Sequence, residues 1–157
     1  MTVYFSRFVS PLGPGYVVVN DHGEVAGCGF GSPELSGPAV ESGDRCRRVL
    51  VELREYFEGR RKTFSVPLSM GGTPFQQKVW NLLTAIPYGT TISYRELATR
   101  YGNPRAVRAV GGANGANPIP IIVPCHRVIG SDGSLTGYGG GMEIKERLLR
   151  LEQSGVA

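Results

Sequence analysis

The stretch Ser93-Tyr94-Arg95-Glu96-Leu97-Ala98-Thr99-Arg100-Tyr101-Gly102-Asn103-Pro104-Arg105-Ala106-Val107-Arg108-Ala109-Val110-Gly111-Gly112-Ala113 reads as two short helices joined by a glycine turn. Ser93, with Glu96 three residues on, has the form of a capping box, which satisfies free N–H groups at a helix start. The first helix is predicted to run to about Tyr101, where Gly102 stops it. Asn103-Pro104 then reads as the cap of a second helix, from Arg105 to about Ala113. The pair has the helix-turn-helix pattern. A helix that reads the DNA major groove usually carries several polar side chains. This second helix is built almost wholly of small residues and offers mainly Arg105 and Arg108. A smooth surface with one or two arginines suits the narrow minor groove. A tightly packed internal helix is the alternative, and both readings can hold for opposite faces.

On the C-terminal side, the apolar residues 119–123 read as a strand or buried loop that delivers Pro124-Cys125-His126-Arg127-Val128 to a turn. A thiol beside an imidazole is a candidate nucleophile, because only the thiolate attacks and a neighbouring base can supply it. Gly130-Ser131-Asp132-Gly133 is a turn, and Leu135-Thr136-Gly137-Tyr138-Gly139-Gly140-Gly141 reads as a lid carrying Tyr138. The glycine string lacks the GxxxxGK[ST] pattern of a nucleoside-triphosphate loop. A last helix over 142–153 buries Ile144, Leu148 and Leu151. Glu152 sits near its C-terminal end, where the helix dipole disfavours a carboxylate, so a specific partner such as a histidine is expected.

On the N-terminal side, Thr73-Pro74-Phe75-Gln76 is another capping box with proline in the first turn. Phe75, Val79, Leu82, Leu83 and Ile86 form the buried face of its helix, and Trp80 is assigned to the core. Val3 to Val9 is β-rich, and Tyr16 to Val19 and Val25 to Phe30 read as strands flanking Asn20-Asp21-His22-Gly23 as a hairpin turn. Residues 31–43 read as a loop, 46–58 as a helix closed by Gly59, and Met70-Gly71-Gly72 as a linker. The 157 residues then divide into 1–72 and 73–157. The net charge of +4 lies wholly in the second part, which has nine Lys/Arg against five Asp/Glu. Within 95–127 five arginines face the single acid Glu96, as on a surface that pairs with phosphate. Three cysteines without metal-ligand spacing (Cys28, Cys46, Cys125) point to a reducing compartment. No run reaches the ~18 apolar residues of a membrane span, and the first residues lack a signal-peptide layout. A cytoplasmic location is expected.

Over about residues 73–152 these motifs resemble the O6-alkylguanine-DNA alkyltransferase family, the methylated-DNA–protein-cysteine methyltransferases. Pro124-Cys125-His126-Arg127 matches its reactive-cysteine motif, and 103–111 its DNA-recognition helix. Asn117-Pro118, Ser93-Tyr94 and Gly137-Tyr138 with Gly140-Gly141 match in order and spacing. The resemblance implies an α+β fold: a small ribonuclease-H-like N-terminal α/β domain, then a mostly helical domain with a winged-helix-like helix-turn-helix. It implies DNA repair by irreversible, single-turnover transfer of an alkyl group from O6 of guanine, with O4 of thymine a further target, to Cys125. The base would be flipped from the minor-groove side. His126 would deprotonate Cys125 through a water, oriented by Glu152, and Asn117 would brace the turn. Tyr94 would press on a phosphate and protonate the leaving guanine. Arg108 would fill the gap in the duplex, with Arg105, Ser93, Ala109 and Gly111 also at the DNA. Tyr138 would stack on the base beside Pro124 and the backbone N–H of Gly139. The carbonyls of Cys125 and Val128 would read the guanine amino group. Gly115 replaces a basic residue of some relatives, which implies weaker DNA binding. No cofactor and no metal are implied. The partner is double-stranded DNA containing O6-alkylguanine, bound by a monomer, with cooperative binding left open.

Two other functions stay in view. A lesion-binding module would keep the Arg108 helix with an inert Cys125. A Cys-His hydrolase would turn over many times and would not need the arginine-rich helix.

Overall fold

Asn20 folds the first half back on itself. Its side-chain oxygen accepts the N–H groups of His22 (2.9 Å) and Glu24 (3.0 Å), and Gly23 takes the positive φ of 76° that the turn requires. The expected hairpin forms between β2 (Gly13–Val19) and β3 (Val25–Phe30). β1 (Val3–Ser10) runs antiparallel to β2, with Tyr4 opposite Val19. The computed structural model describes residues 1–135, 138 and 141–156.

The stretch 31–43, expected to be a loop throughout, contributes a strand. β4 (Ala39–Glu41) pairs parallel to β1, flanked by bonds from Val3 N–H to Pro38 O (3.0 Å) and from Ser42 N–H to Phe5 O (2.8 Å). Three residues are too few to show a two-residue alternation, so tertiary pairing alone makes this strand. The sheet order is β3-β2-β1-β4. α1 (Arg47–Phe57) buries Val49, Leu53, Tyr56 and Phe57, and Gly59 ends it at φ 76°.

In the second half the Thr73 capping box is present in full and opens α2 (Pro74–Thr84). The indole N–H of Trp80, in the core as expected, bonds Ala113 O at 2.8 Å. β5 (Ile92–Ser93) leads into α3 (Tyr94–Tyr101). There the Ser93 hydroxyl accepts the Glu96 N–H, while the Glu96 carboxylate pairs with Arg100. Gly102 ends α3 at φ 105°. α4 (Val107–Gly115) begins two residues later than expected. Asn103 caps the intervening turn instead of the helix: its side-chain oxygen takes the Arg105 N–H and its carbonyl the Ala106 N–H. Residues 119–123 form turns, not a strand. The 3-10 turn Cys125–Arg127 and β6 (Val128–Ile129) follow, β6 pairing parallel to β5. α5 (Met142–Ser154) closes the chain.

The fold is thus α+β, with a mixed sheet and, among the described residues, five α-helices. None of these is long and apolar enough to cross a membrane. Val17, Val25, Leu53 and Tyr56 from the first half share one buried cluster with Val79, Leu83, Ile119 and Leu148 from the second. β3 is also stitched to the later loop, Cys28 N–H bonding Pro118 O at 3.2 Å.

A side chain at the left-handed Gly102 position strains the turn between α3 and α4. Gly102→Ala is expected to lose about 1–2 kcal/mol. The check is thermal unfolding, where that loss lowers Tm by about 2–4 °C per kcal/mol in a chain of this size.

Candidate active site

α4 presents two unlike faces. Arg105 just before it, Arg108, Ala109, Gly112 and Gly115 are exposed, while Val110, Ala113 and Asn114 are buried. The packed-helix reading therefore holds for the inner face, while the outer face is open to solvent. The outer face is smooth: a Cβ placed on Gly112 meets nothing within 4 Å. Gly111 lies against the ring of Tyr94, whose Cδ1 would be 3.6 Å from an added Cβ. On the inner face, Asn114 Nδ2 donates to the Cys125 carbonyl at 3.4 Å. One helix thus joins the exposed Arg108 to the backbone of the cysteine.

The cysteine loop is held under tension. Ile121 adopts φ 77°, a conformation that costs a β-branched residue about 1–3 kcal/mol. Asn117 clamps the loop from within: Nδ2 donates to Val123 O (2.8 Å) and Oδ1 accepts the Ile119 N–H (2.9 Å). Burial of Ile119, Ile121, Ile122 and Val123 offsets the strain. Burial pushes the Cys125 thiol above its ordinary pKa, against the opposing pull of Asn117 and the nearby charge of Lys145.

Glu152 is the hub of the site. Its Oε2 lies 2.6 Å from His126 Nε2, the histidine partner that its position on the helix called for. Arg127 donates through Nε to Oε1 (2.7 Å) and through Nη2 to Oε2 (2.9 Å). The Tyr56 hydroxyl donates to Oε2 at 2.6 Å, and the Gly89 N–H to Oε1 at 3.4 Å. Burial works against the charge, but the bonds from His126 and Arg127 outweigh it and bring the carboxyl down to about 2. An ionised Glu152 requires the proton on His126 Nε2, which leaves Nδ1 as a lone pair. That Nδ1 is buried without a hydrogen-bond partner among the described residues. Burial depresses the His126 pKa despite Glu152. The ring is therefore a neutral base at pH 7.

Lys145 is fully buried on α5 and donates to Val128 O at 2.6 Å. Its ammonium lies 5.8 Å from the ring centre of Tyr94. A cavity of about 230 Å³ opens beside Cys125, lined by Asn114, Asn117, Pro120 and Tyr138 and, from the first half, by Tyr16, Cys28 and Phe30. The Tyr138 hydroxyl is buried without a hydrogen-bond partner among the described residues, and burial raises its pKa well above the usual range. Pro124 and Val128 are buried next to Cys125. Ser93 and Tyr94 stand at the start of α3. Gly139 lies outside the described residues.

One expectation is corrected. Arg127 does not belong to the exposed basic surface: it is buried against Glu152, and its Nη1 donates to Ile86 O at 2.7 Å. Sequence reasoning also missed Tyr56, Asn114 and Lys145. Lys145 left a signal, because with Leu148 and Glu152 it occupies the buried stripe of α5 at helical spacing. Tyr56 left none, being 96 residues from Glu152.

A sequence model described as "6-O-methylguanine DNA methyltransferase, DNA binding domain" matches residues 74–154. The chain is 47% identical to the methylated-DNA–protein-cysteine methyltransferase of Methanosarcina acetivorans, over 97% of this chain and 99% of that one. It is similar to the crystal structure of Mycobacterium tuberculosis OGT in complex with DNA, with TM-score 0.92 and 42% identity over 98% of this chain and 94% of that one. Against O6-methylguanine-DNA methyltransferase from Pyrococcus kodakaraensis the TM-score is 0.59 at 26% identity, over 96% and 98% of the two chains.

Because Glu152 titrates at about 2 here against 4.5 ordinarily, the unfolded chain binds the extra proton between those pH values. Its contribution to stability is full above pH 4.5 and is lost as pH falls towards about 2. The shift corresponds to about 3 kcal/mol. Glu152→Gln, which leaves Arg127 buried without its counter-charge, is expected to lose about 3–5 kcal/mol at pH 7. Urea unfolding from pH 7 to pH 2 checks this: the gap to the parent protein should narrow below pH 4.5.

Proposed function

The chain belongs to the methylated-DNA–protein-cysteine methyltransferase family, which repairs DNA by moving an alkyl group onto a cysteine of the protein, and we propose that in this chain Cys125 is the acceptor. The observation that carries this is the connection of Cys125, through Asn114, to a smooth helix face bearing Arg108, with Arg105 just before it, and with His126, next to Cys125 in the chain, paired to Glu152. Taking the thiol proton is the work of His126. Its Nδ1 accepts that proton through a water, and Glu152 holds the imidazolium that results. The charge of Lys145 favours the thiolate once formed.

The thiolate sulfur attacks the alkyl carbon in line with its bond to O6. The S–C bond forms, the C–O6 bond breaks, and its electron pair leaves on guanine. Tyr94 protonates that leaving group. The thioether offers no route back to a thiol, so each molecule reacts once. The reacting oxygen is stacked inside the duplex, so the base must be flipped, at about a few kcal/mol. Arg108 fills the gap, and Arg105, Ser93, Tyr94, Ala109 and Gly111 lie along the DNA. Tyr138 lines the cavity beside Cys125 that takes the base, and Pro124 stands next to Cys125. The carbonyls of Cys125 and Val128 read its amino group with the lone pairs that Asn114 and Lys145 leave open. O4-alkylthymine is accepted by the same displacement.

Residues 1–72 are taken as a ribonuclease-H-like domain, supported by the mixed sheet with α1 beside it. Residues 73–157 are taken as the DNA-binding, alkyl-acceptor domain, α3 and α4 with the β5–β6 pair giving its winged-helix-like character. Three buried free cysteines suit a cytoplasmic, reducing setting. The protein acts as a monomer on duplex DNA, without a cofactor.

Incubation with a duplex holding one O6-methylguanine is expected to add the mass of a single methyl group, located on Cys125, with one reaction per molecule. Cys125→Ala should bind the lesion without gaining mass; an alkylated Cys125→Ala protein would refute the assignment, and an unchanged parent mass with tight binding would indicate a lesion binder. Arg108→Ala should slow repair of duplex DNA far more than reaction with a free alkylated base. Equal losses on the two substrates would remove the finger role.

A further inference from the structure

Among the described residues, Tyr56 brings the one side chain of residues 1–72 that hydrogen-bonds Glu152. We propose that Tyr56 is a positioning residue for alkyl transfer: its hydroxyl fixes Oε2 of Glu152 against Nε2 of His126 and so sets how readily that ring takes the thiol proton. This rests on the reading of Cys125, His126 and Glu152 given above.

Oε2 receives three donors, the Tyr56 hydroxyl at 2.6 Å, His126 Nε2 at 2.6 Å and Arg127 Nη2 at 2.9 Å. Each draws negative charge from the same oxygen and leaves less to stabilise an imidazolium. The Tyr56 ring is held independently of this bond, with ring centres of Phe57 and Phe64 at 5.4 Å and Tyr88 at 6.2 Å. Its hydroxyl therefore stands at a place fixed by packing, and the carboxylate comes to it. Burial first, and then the charge of Glu152, keep Tyr56 protonated well beyond the ordinary tyrosine range. It is thus a donor throughout the working pH range. His126 feels Glu152 and Lys145 from α5 and Arg127 from its own turn. Glu152 faces His126 and Arg127, with Tyr88 nearby. Arg127 and Lys145 both oppose a proton on His126, so the Tyr56 hydroxyl acts in the same direction as two fixed cations.

Tyr56→Phe keeps the ring contacts and leaves Oε2 with two donors, so the variant retains the fold. The rate of alkyl transfer from an O6-methylguanine duplex is measured against pH for both proteins, with Tm alongside. The acid limb should move to higher pH by about one unit, the scale of one hydrogen bond to a charged group, while the high-pH rate is unchanged. A fall in Tm with an unmoved limb would mean Tyr56 is packing alone and would overturn the proposal. A parent protein that transfers no alkyl group would instead overturn the functional reading itself, before any variant is compared. A second readout needs no variant. In the parent protein the Tyr56 hydroxyl proton should give a far-downfield NMR resonance that moves as His126 titrates. A resonance indifferent to His126 would overturn the proposal.

Discussion

A carboxylate taken out of water must be compensated where it lies, or the fold loses several kcal/mol. Glu152 is such a group, and the rest of the site is arranged around its compensation. Its donors come from α1 (Tyr56), the turn after α2 (Gly89) and the 3-10 turn (His126, Arg127). Segments distant in sequence are thereby drawn to one point. The same charge that fixes the imidazole tautomer joins the first half of the chain to the second.

The second constraint is α4, which must serve water on one side and the core on the other. Small residues satisfy both demands. Outside, Ala109 and Gly112 leave a smooth, open surface. Inside, Val110 and Ala113 fill the core, the Ala113 carbonyl takes the Trp80 indole proton, and Asn114 holds the cysteine backbone. A contact at the outer face is therefore one rigid element away from Cys125. The strained Ile121 backbone, clamped by Asn117, adds a loop that is over-determined by its surroundings. Such rigidity is what a displacement requiring in-line geometry needs.

Much of this was legible along the chain. Caps at Thr73 and Ser93 and the stop at Gly102 mark helix ends because they answer to local hydrogen bonding and local φ, which short spans of sequence encode. Glu152 betrayed itself by standing where the helix dipole disfavours it. Two of the errors share a cause: β4 and Arg127 are each set by something far away in the sequence, whereas the shifted start of α4 is a local effect. β4 exists because β1 is there to pair with it. Arg127 looked like part of a basic surface, but packing turned it inward onto Glu152. The onset of α4 moved because Asn103 spent its side chain on a turn.

By itself, the sequence determined the order of helices, the placing of a thiol next to an imidazole in the chain, the small-residue helix with arginines at its start, and hence the family. These are properties of neighbours in the chain, carried by propensity, capping and short motifs. Only the tertiary structure decided that Tyr56 and Arg127 share one carboxylate, that Lys145 lies buried against the Val128 carbonyl, and that Tyr16 and Phe30 wall the cavity beside Cys125. Those contacts span tens of residues. They are fixed by the need to bury apolar surface while leaving no charge uncompensated, a condition on the whole fold that no local stretch of sequence can express.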